Sequence, residues 1–182
     1  MGAEWLHQIQ SLTPAFFDVL ATVLRNKTTW IPLYILIGIY LFVRQEKKVA
    51  IAFLTCSALA AGLGDILSSH ILKPFFAHPR PCQEPLLGFQ LLLEHCPKSY
   101  SFPSSHATNH MALAIFWIGS RCFSKTQAIF FLIWVFVIVW AQMVVGVHYP
   151  IDIVAGLLLG SLIGYMFSRV FRIFVEQFLR RT

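Results

Sequence analysis

Charge is scarce in this sequence. Only 12% of its 182 residues are Asp, Glu, Lys or Arg, against about 25% in a typical soluble domain. With 57% hydrophobic residues and a mean hydropathy of +0.69, the chain cannot build the polar surface of a soluble globular protein. Lys and Arg are missing from residues 1–13, and no small-residue cleavage site follows a short apolar core. The N-terminus therefore does not read as a secretory signal. There is no CxxC pair of the kind that holds a structural metal. The net charge of +6 is not gathered into a basic groove or a recognition motif, which excludes nucleic acid as a partner. Polar residues do not interrupt the apolar runs at mid-membrane depth in a repeated pattern, which argues against a transporter.

What remains is a set of apolar runs. Five can span a bilayer: about Thr28–Val43, Val49–Leu72, Ser105–Ile118, Ala128–Val147 and Ile151–Phe174. The first is short for the roughly 20 residues a span needs, with Trp30 and Tyr40 as interfacial anchors. Gly156, Gly160 and Gly164 recur every fourth position in the last, a spacing that lets helices approach closely. Residues 12–24, which include Asp18, fit an interfacial or re-entrant helix, and a sixth, imperfect span stays open there. The expected architecture is all-α: one membrane-embedded helical bundle over residues 1–182 with five to six spans. Residues 1–27 form an N-terminal interfacial or re-entrant segment, and residues 73–104 an outer loop.

Charge orients the bundle. Arg44, Lys47 and Lys48 follow the first span, Arg121 and Lys125 join the third and fourth, and Arg169, Arg172, Arg180 and Arg181 close the fifth. With five spans all three regions share one side, which the positive-inside rule makes cytoplasmic. The loop from Lys73 to Pro103 and the turn at His148–Pro150 then face outward together. Cys56 and Cys122 read as small apolar filler. Cys82 and Cys96 lie in the outer loop; a disulfide between them would close a loop worth about 3 kcal/mol, and metal binding is the less favoured reading, since no CxxC or His-pair spacing accompanies them.

Three polar clusters lie at the outer ends of the spans: "KPFFAHPRP" with Lys73 and Arg80, "PSSH" from Pro103 to His106, and "GVHYPIDIVAG" with His148 and Asp152. Polar groups at membrane depth are costly and mark function by default. His148 and Asp152 are four apart, close enough for the carboxylate to fix the imidazole tautomer and leave the other nitrogen as nucleophile or base. Taken alone, the pair also fits a capping aspartate beside an interfacial histidine. Ser104 at a helix start fits an anion nest or an ordinary N-cap. Lys73 and Arg80 fit a phosphate clamp or headgroup contacts. Jointly they supply a clamp, a nucleophile and a leaving-group acid for displacement at phosphorus.

These residues resemble the type 2 phosphatidic acid phosphatase superfamily, whose signature is K-x6-RP, PSGH and SR-x5-H-x3-D. Lys73-x6-Arg80-Pro81 matches in full; Pro103-Ser104-Ser105-His106 matches with Ser105 for Gly; His148-x3-Asp152 matches. The resemblance implies that His148 attacks phosphorus to form a phosphohistidine, that Asp152 orients it, and that His106 protonates the leaving oxygen. Lys73, Arg80, Ser104 and the N–H groups around Ser105 and His106 would bind the phosphoryl oxygens. It implies no metal and no cofactor. The implied substrate is a lipid phosphate or pyrophosphate, of the undecaprenyl pyrophosphate or phosphatidylglycerophosphate type. The implied location is a bacterial inner membrane, with the site facing the periplasm.

The sequence departs from the signature where the third motif's arginine becomes Gln142, preceded by Ala141. Losing one charge-assisted hydrogen bond costs about 1.5–3 kcal/mol, a roughly 10- to 100-fold weaker enzyme. Gln142 therefore reads as a modified clamp, and a pseudo-phosphatase that binds lipid phosphate without turnover is the alternative. Asp65 reads as a bundle hydrogen-bonding residue. His70, Asn109 and His110 stand beside the motifs without an assigned role, and His78 is expected to be exposed.

Overall fold

The computed structural model describes residues 2–84 and 90–179, so the Arg180 and Arg181 expected at the inner end lie outside the described residues. All regular structure among them is helical. The helix expected over residues 12–24 is observed as α2 (Phe16–Leu24), and a separate helix, α1 (Gly2–Leu12), precedes it. Pro14 breaks them, since it has no N–H to donate and disfavours helix in the residue before it. A 3-10 turn, Lys27–Trp30, then leads into α3 (Ile31–Arg44). The Asn26 side chain caps it by accepting from the Thr28 N–H at 3.1 Å, and Trp30 Nε1 donates back to the Leu24 carbonyl at 2.8 Å.

Next come α4 (Lys47–Asp65), a π-helical stretch Ile66–Leu72 and the single turn α5 (Lys73–Phe76). They form one continuous rod, ended by the left-handed Ala77 (φ 47°). After the outer loop follow α6 (Ser105–Gly119), α7 (Lys125–Val144) and α8 (Pro150–Phe174). Among the described residues three helices are long and apolar enough to cross a membrane: the rod beginning at Lys47, α7 and α8. A fourth crossing is made if the pair Phe16–Leu24 and Lys27–Arg44, bent by 71°, counts as one span. The structure thus does not reproduce five to six independent spans. At 15 residues α6 is about 22 Å long, short of the roughly 30 Å of hydrocarbon. It is the helix most enclosed by its neighbours, with Ala107, Ala112, Ala114 and Phe116 fully buried.

The expectation that the α8 glycines serve packing holds. A Cβ on Gly156 would stand 2.6 Å from the Ser104 carbonyl oxygen and 2.8 Å from Ala107 Cβ. Cβ atoms on Gly160 and Gly164 would run into the carbonyls of Thr108 and Ala112. Glycine here permits backbone-to-backbone contact of α6 with α8, and this contact sets the "PSSH" helix beside the His148–Asp152 helix. Large apolar side chains such as Phe136, Leu158 and Val170 stay exposed around the bundle, as a lipid-facing surface requires.

The basic turns do meet at one end. Arg121 and Arg172 border a crevice shared with Gln45 and Val49, so the α3–α4 turn, the α6–α7 turn and the end of α8 are neighbours. At the other end Cys82 and Cys96 are joined by a disulfide, with Cα atoms 5.8 Å apart. Gln10 of α1 donates to the carbonyls of Gln90 at 2.8 Å and Val144 at 3.0 Å, tying the N-terminal helix to the outer loop and the end of α7.

Candidate active site

A cavity of about 530 Å³ opens at the end away from the basic turns. Lys73, Arg80, Ser105, His106, Gln142 and His148 all line it. Three segments distant in sequence therefore converge on one space, as the motifs led us to expect.

Pro150 begins α8, where its missing N–H costs nothing. That places Asp152 in the first turn, with Oδ2 accepting from the Tyr149 N–H at 2.8 Å. The same oxygen lies 3.3 Å from His148 Nδ1. On the opposite edge of the ring, Arg80 Nη1 stands 3.3 Å from His148 Nε2. A guanidinium can only donate, so Nε2 carries the lone pair and Nδ1 the proton shared with Asp152. The tautomer is fixed from both sides. His148 is 2% exposed, and burial, outweighing the Asp152 hydrogen bond, holds its pKa down to about 4. It is thus neutral near pH 7, with its free nitrogen toward the cavity.

Lys73 and Arg80 are buried, at 4% and 5% exposure. Lys73 Nζ donates to the carbonyls of Tyr100 at 2.6 Å and Ser101 at 3.0 Å. Arg80 donates from Nε to the Ser99 carbonyl at 2.7 Å, from Nη1 to the Val147 carbonyl at 2.9 Å and from Nη2 to Ser99 Oγ at 3.0 Å. Both cations hold the loop before α6 in place while bordering the cavity.

Ser104 is fully buried and caps α6, its Oγ accepting from the Ala107 N–H at 3.4 Å; it is not on the cavity wall. Asp152 likewise sits behind His148 rather than on the wall. Ser105 is on the wall, with Oγ 2.8 Å from Ser69 Oγ, which in turn donates to Asp65 Oδ1 at 3.0 Å. Position 105 opens α6 and is not among the residues with positive φ, so serine replaces the signature's glycine without backbone strain. His106 faces the cavity, and its ring stacks on His110 with centroids 6.0 Å apart.

Some functional neighbours escaped the sequence reading. Ser101 donates to Asp152 Oδ2 at 2.5 Å and lies 3.2 Å from His148 Nδ1, completing the cradle of the pair. His78 is half-buried rather than exposed, with Nδ1 3.8 Å from Asp152 Oδ1. Arg25, at the end of α2, directs Nε to Gln142 Oε1 at 3.4 Å and lines the same cavity. None of these has a motif-like spacing in the sequence. The one available signal was that Arg25 and Lys27 are basic residues on the side opposite the other basic turns.

A family model described as "PAP2 superfamily" matches residues 50–175, which include all three motifs. The chain belongs to the PAP2 superfamily. That membership places it among metal-independent phosphatases. It is 29% identical over 157 residues to lipid A 4'-phosphatase of Bacteroides thetaiotaomicron, covering 84% of this chain and 68% of that protein. It is 30% identical over 141 residues to undecaprenyl-diphosphatase of Sulfolobus acidocaldarius, covering 75% and 61%. About a third or more of each relative lies beyond the matched stretch. The PAP2 fold itself recurs in the crystal structure of the PAP2-type phosphatidylglycerolphosphate phosphatase from Bacillus subtilis. The TM-score is 0.74 at 19% identity, covering 97% of this chain and 87% of that one.

Proposed function

We propose that this PAP2 protein is an integral membrane lipid phosphatase that hydrolyses a lipid phosphate or lipid diphosphate through a phosphohistidine on His148. The observation that carries the proposal is His148 Nε2, stripped of its proton by the Asp152–Arg80 arrangement and facing a cation-lined cavity. In the first step Nε2 attacks phosphorus, and the bond from phosphorus to the lipid-side oxygen breaks. His106 gives that oxygen its proton, and Asp152 stabilises the positive charge gained by the ring. In the second step water attacks the phosphohistidine and passes a proton to His106; orthophosphate leaves and His148 is restored. Lys73, Arg80 and the amide groups at the start of α6 stabilise the oxygens of the five-coordinate phosphorus.

A lipid substrate is supported by an apolar groove of about 350 Å³ beside the phosphate cavity. Tyr34, Ile37, Phe53, Leu113 and Trp117 line it, and it shares Lys27, Asn109 and His110 with the phosphate cavity. A headgroup at His148 can therefore continue into an acyl or prenyl chain along the helices. The relatives act on a lipid A phosphate and on undecaprenyl diphosphate, as their names state, and both substrates combine such parts. The same reading puts the bundle in a bacterial inner membrane with its cavity at the periplasmic face, the basic turns lying on the cytoplasmic side.

The test is phosphate release in mixed micelles containing EDTA. The panel holds phosphatidic acid, phosphatidylglycerophosphate, undecaprenyl diphosphate and lipid A. Release from at least one, abolished by His148→Ala, is the expected outcome. No release from any of them by folded wild-type protein refutes the proposal.

A further inference from the structure

The arginine that the PAP2 signature places in its third motif is Gln142 here, and the site should be one cation short. It is not. Arg25 reaches the same wall of the cavity from α2, 117 positions earlier in the chain, with Nε 3.4 Å from Gln142 Oε1. That is the one hydrogen bond of its guanidinium among the described residues, so both terminal amino groups are unengaged. Gln142 is fully buried, and its Nε2 has no hydrogen-bond partner in the described structure. A buried amide donor without an acceptor is costly unless a ligand supplies one.

The placement of Arg25 is built into the fold. The α2 helix packs on α7, the helix that carries Gln142, and Phe17 meets Trp140 edge-on at 5.7 Å. The turn after Arg25 is locked by Asn26 on Thr28, by Thr29 Oγ1 on the Val23 carbonyl at 2.7 Å and by Trp30 on the Leu24 carbonyl. Arg25 also stands at the end opposite the basic turns, on the same cavity as Lys73 and Arg80. Cations gathered around one cavity need an anion.

We propose that Arg25 is a phosphate-binding residue that takes over the part of the missing third-motif arginine. Gln142 orients its guanidinium through Oε1 and gives its own Nε2–H to a phosphoryl oxygen. The two terminal amino groups of Arg25 form the fork that matches two phosphoryl oxygens. The charge of the clamp is conserved, while its source has moved from α7 to the N-terminal segment. This inference rests on the phosphatase reading above.

The experiment compares wild type, Arg25→Gln and the exchanged pair Arg25→Gln/Gln142→Arg, with phosphatidic acid and farnesyl diphosphate as substrates and orthovanadate as inhibitor. Thermal unfolding in detergent monitors the fold. Arg25→Gln should lower kcat/KM about 10- to 100-fold and weaken orthovanadate inhibition in step. The exchanged pair should regain most of the loss. Unchanged kcat/KM in Arg25→Gln beside an active wild type overturns this inference alone, as does a folded exchanged pair that stays as slow as Arg25→Gln. A wild type that releases no phosphate from these two or from any lipid of the panel above overturns the phosphatase reading, and is read from the wild-type arm by itself. Phenylglyoxal labelling of the wild-type protein avoids any folding defect of the variants. Orthovanadate should shield Arg25 from modification, and equal labelling with and without it overturns the inference.

Discussion

Replacing Gly160 by alanine puts the α6–α8 contact under direct test. The new methyl carbon would stand 2.9 Å from Met111 Cβ and 3.0 Å from the Ala112 nitrogen, and closer still to the Thr108 carbonyl oxygen. Ordinary carbon contacts lie at about 3.5–4.0 Å, so α6 and α8 must part by roughly 1 Å. Two of the obstructing atoms are helix backbone and the third, Met111 Cβ, is fixed by it, so none can swing aside. Overpacking of this kind costs about 1–3 kcal/mol. Catalysis should suffer more than stability, because α6 carries His106 and α8 begins beside His148. A misplacement of about 1 Å between groups that act on one phosphorus atom can cost roughly 100-fold in rate. Gly62→Ala is the control: no atom lies within 4 Å of its would-be Cβ. There alanine should stabilise the helix by about 0.5–1 kcal/mol. The assay is thermal unfolding in detergent together with kcat on the best lipid phosphate. A Gly160→Ala protein as stable and as fast as wild type would refute the idea that glycine-mediated backbone contact aligns the two histidines.

Three further outcomes follow from the geometry. His148 is neutral above about pH 4 in the folded protein, because burial depresses it. The acid limb of kcat/KM should therefore fall near pH 4 rather than near the ordinary histidine value of about 6.5, as a pH–rate profile on a non-titrating diphosphate analogue will show. The unfolded chain takes up this proton first as pH drops, so stability should decline below about pH 6.5; unfolding midpoints between pH 4 and 8 check the sign. Removing the disulfide with Cys82→Ser/Cys96→Ser should cost up to about 3 kcal/mol by the loop-entropy argument. It should lower kcat as well, because the closed loop leads directly to Ser99 and Ser101, and the same loss should appear in wild type treated with reductant.

Much of this site is legible in the sequence because its chemistry depends on residue type. A lysine, an arginine, two histidines and an aspartate at fixed spacings in apolar surroundings have few other uses. The helices were legible too: the expected Ser105–Ile118 and Ile151–Phe174 are observed as Ser105–Gly119 and Pro150–Phe174. The count of spans was less so, since hydropathy measures each run alone, and a short helix such as α6 is admissible only because its neighbours enclose it. Ser101 gave no signal, as one serine among several in a polar loop; only the fold puts its hydroxyl on Asp152. Arg25 was hidden for a different reason. Its partner is 117 positions away, and in a segment read as interfacial a basic residue is unremarkable. A departure from a motif at one position is repaired at another, and no local pattern reports that.

On the phosphatase reading proposed above, the carbonyl contacts of Lys73 and Arg80 bear on how the reaction ends. Both cations rest on peptide oxygens of residues 99–101 and 147. An arriving phosphate displaces dipoles that were good partners, so a ground-state ion gains little, whereas the crowded, charge-rich state at the top of the barrier gains most. On that reading spent orthophosphate leaves a clamp whose cations have backbone partners to return to, which favours product release.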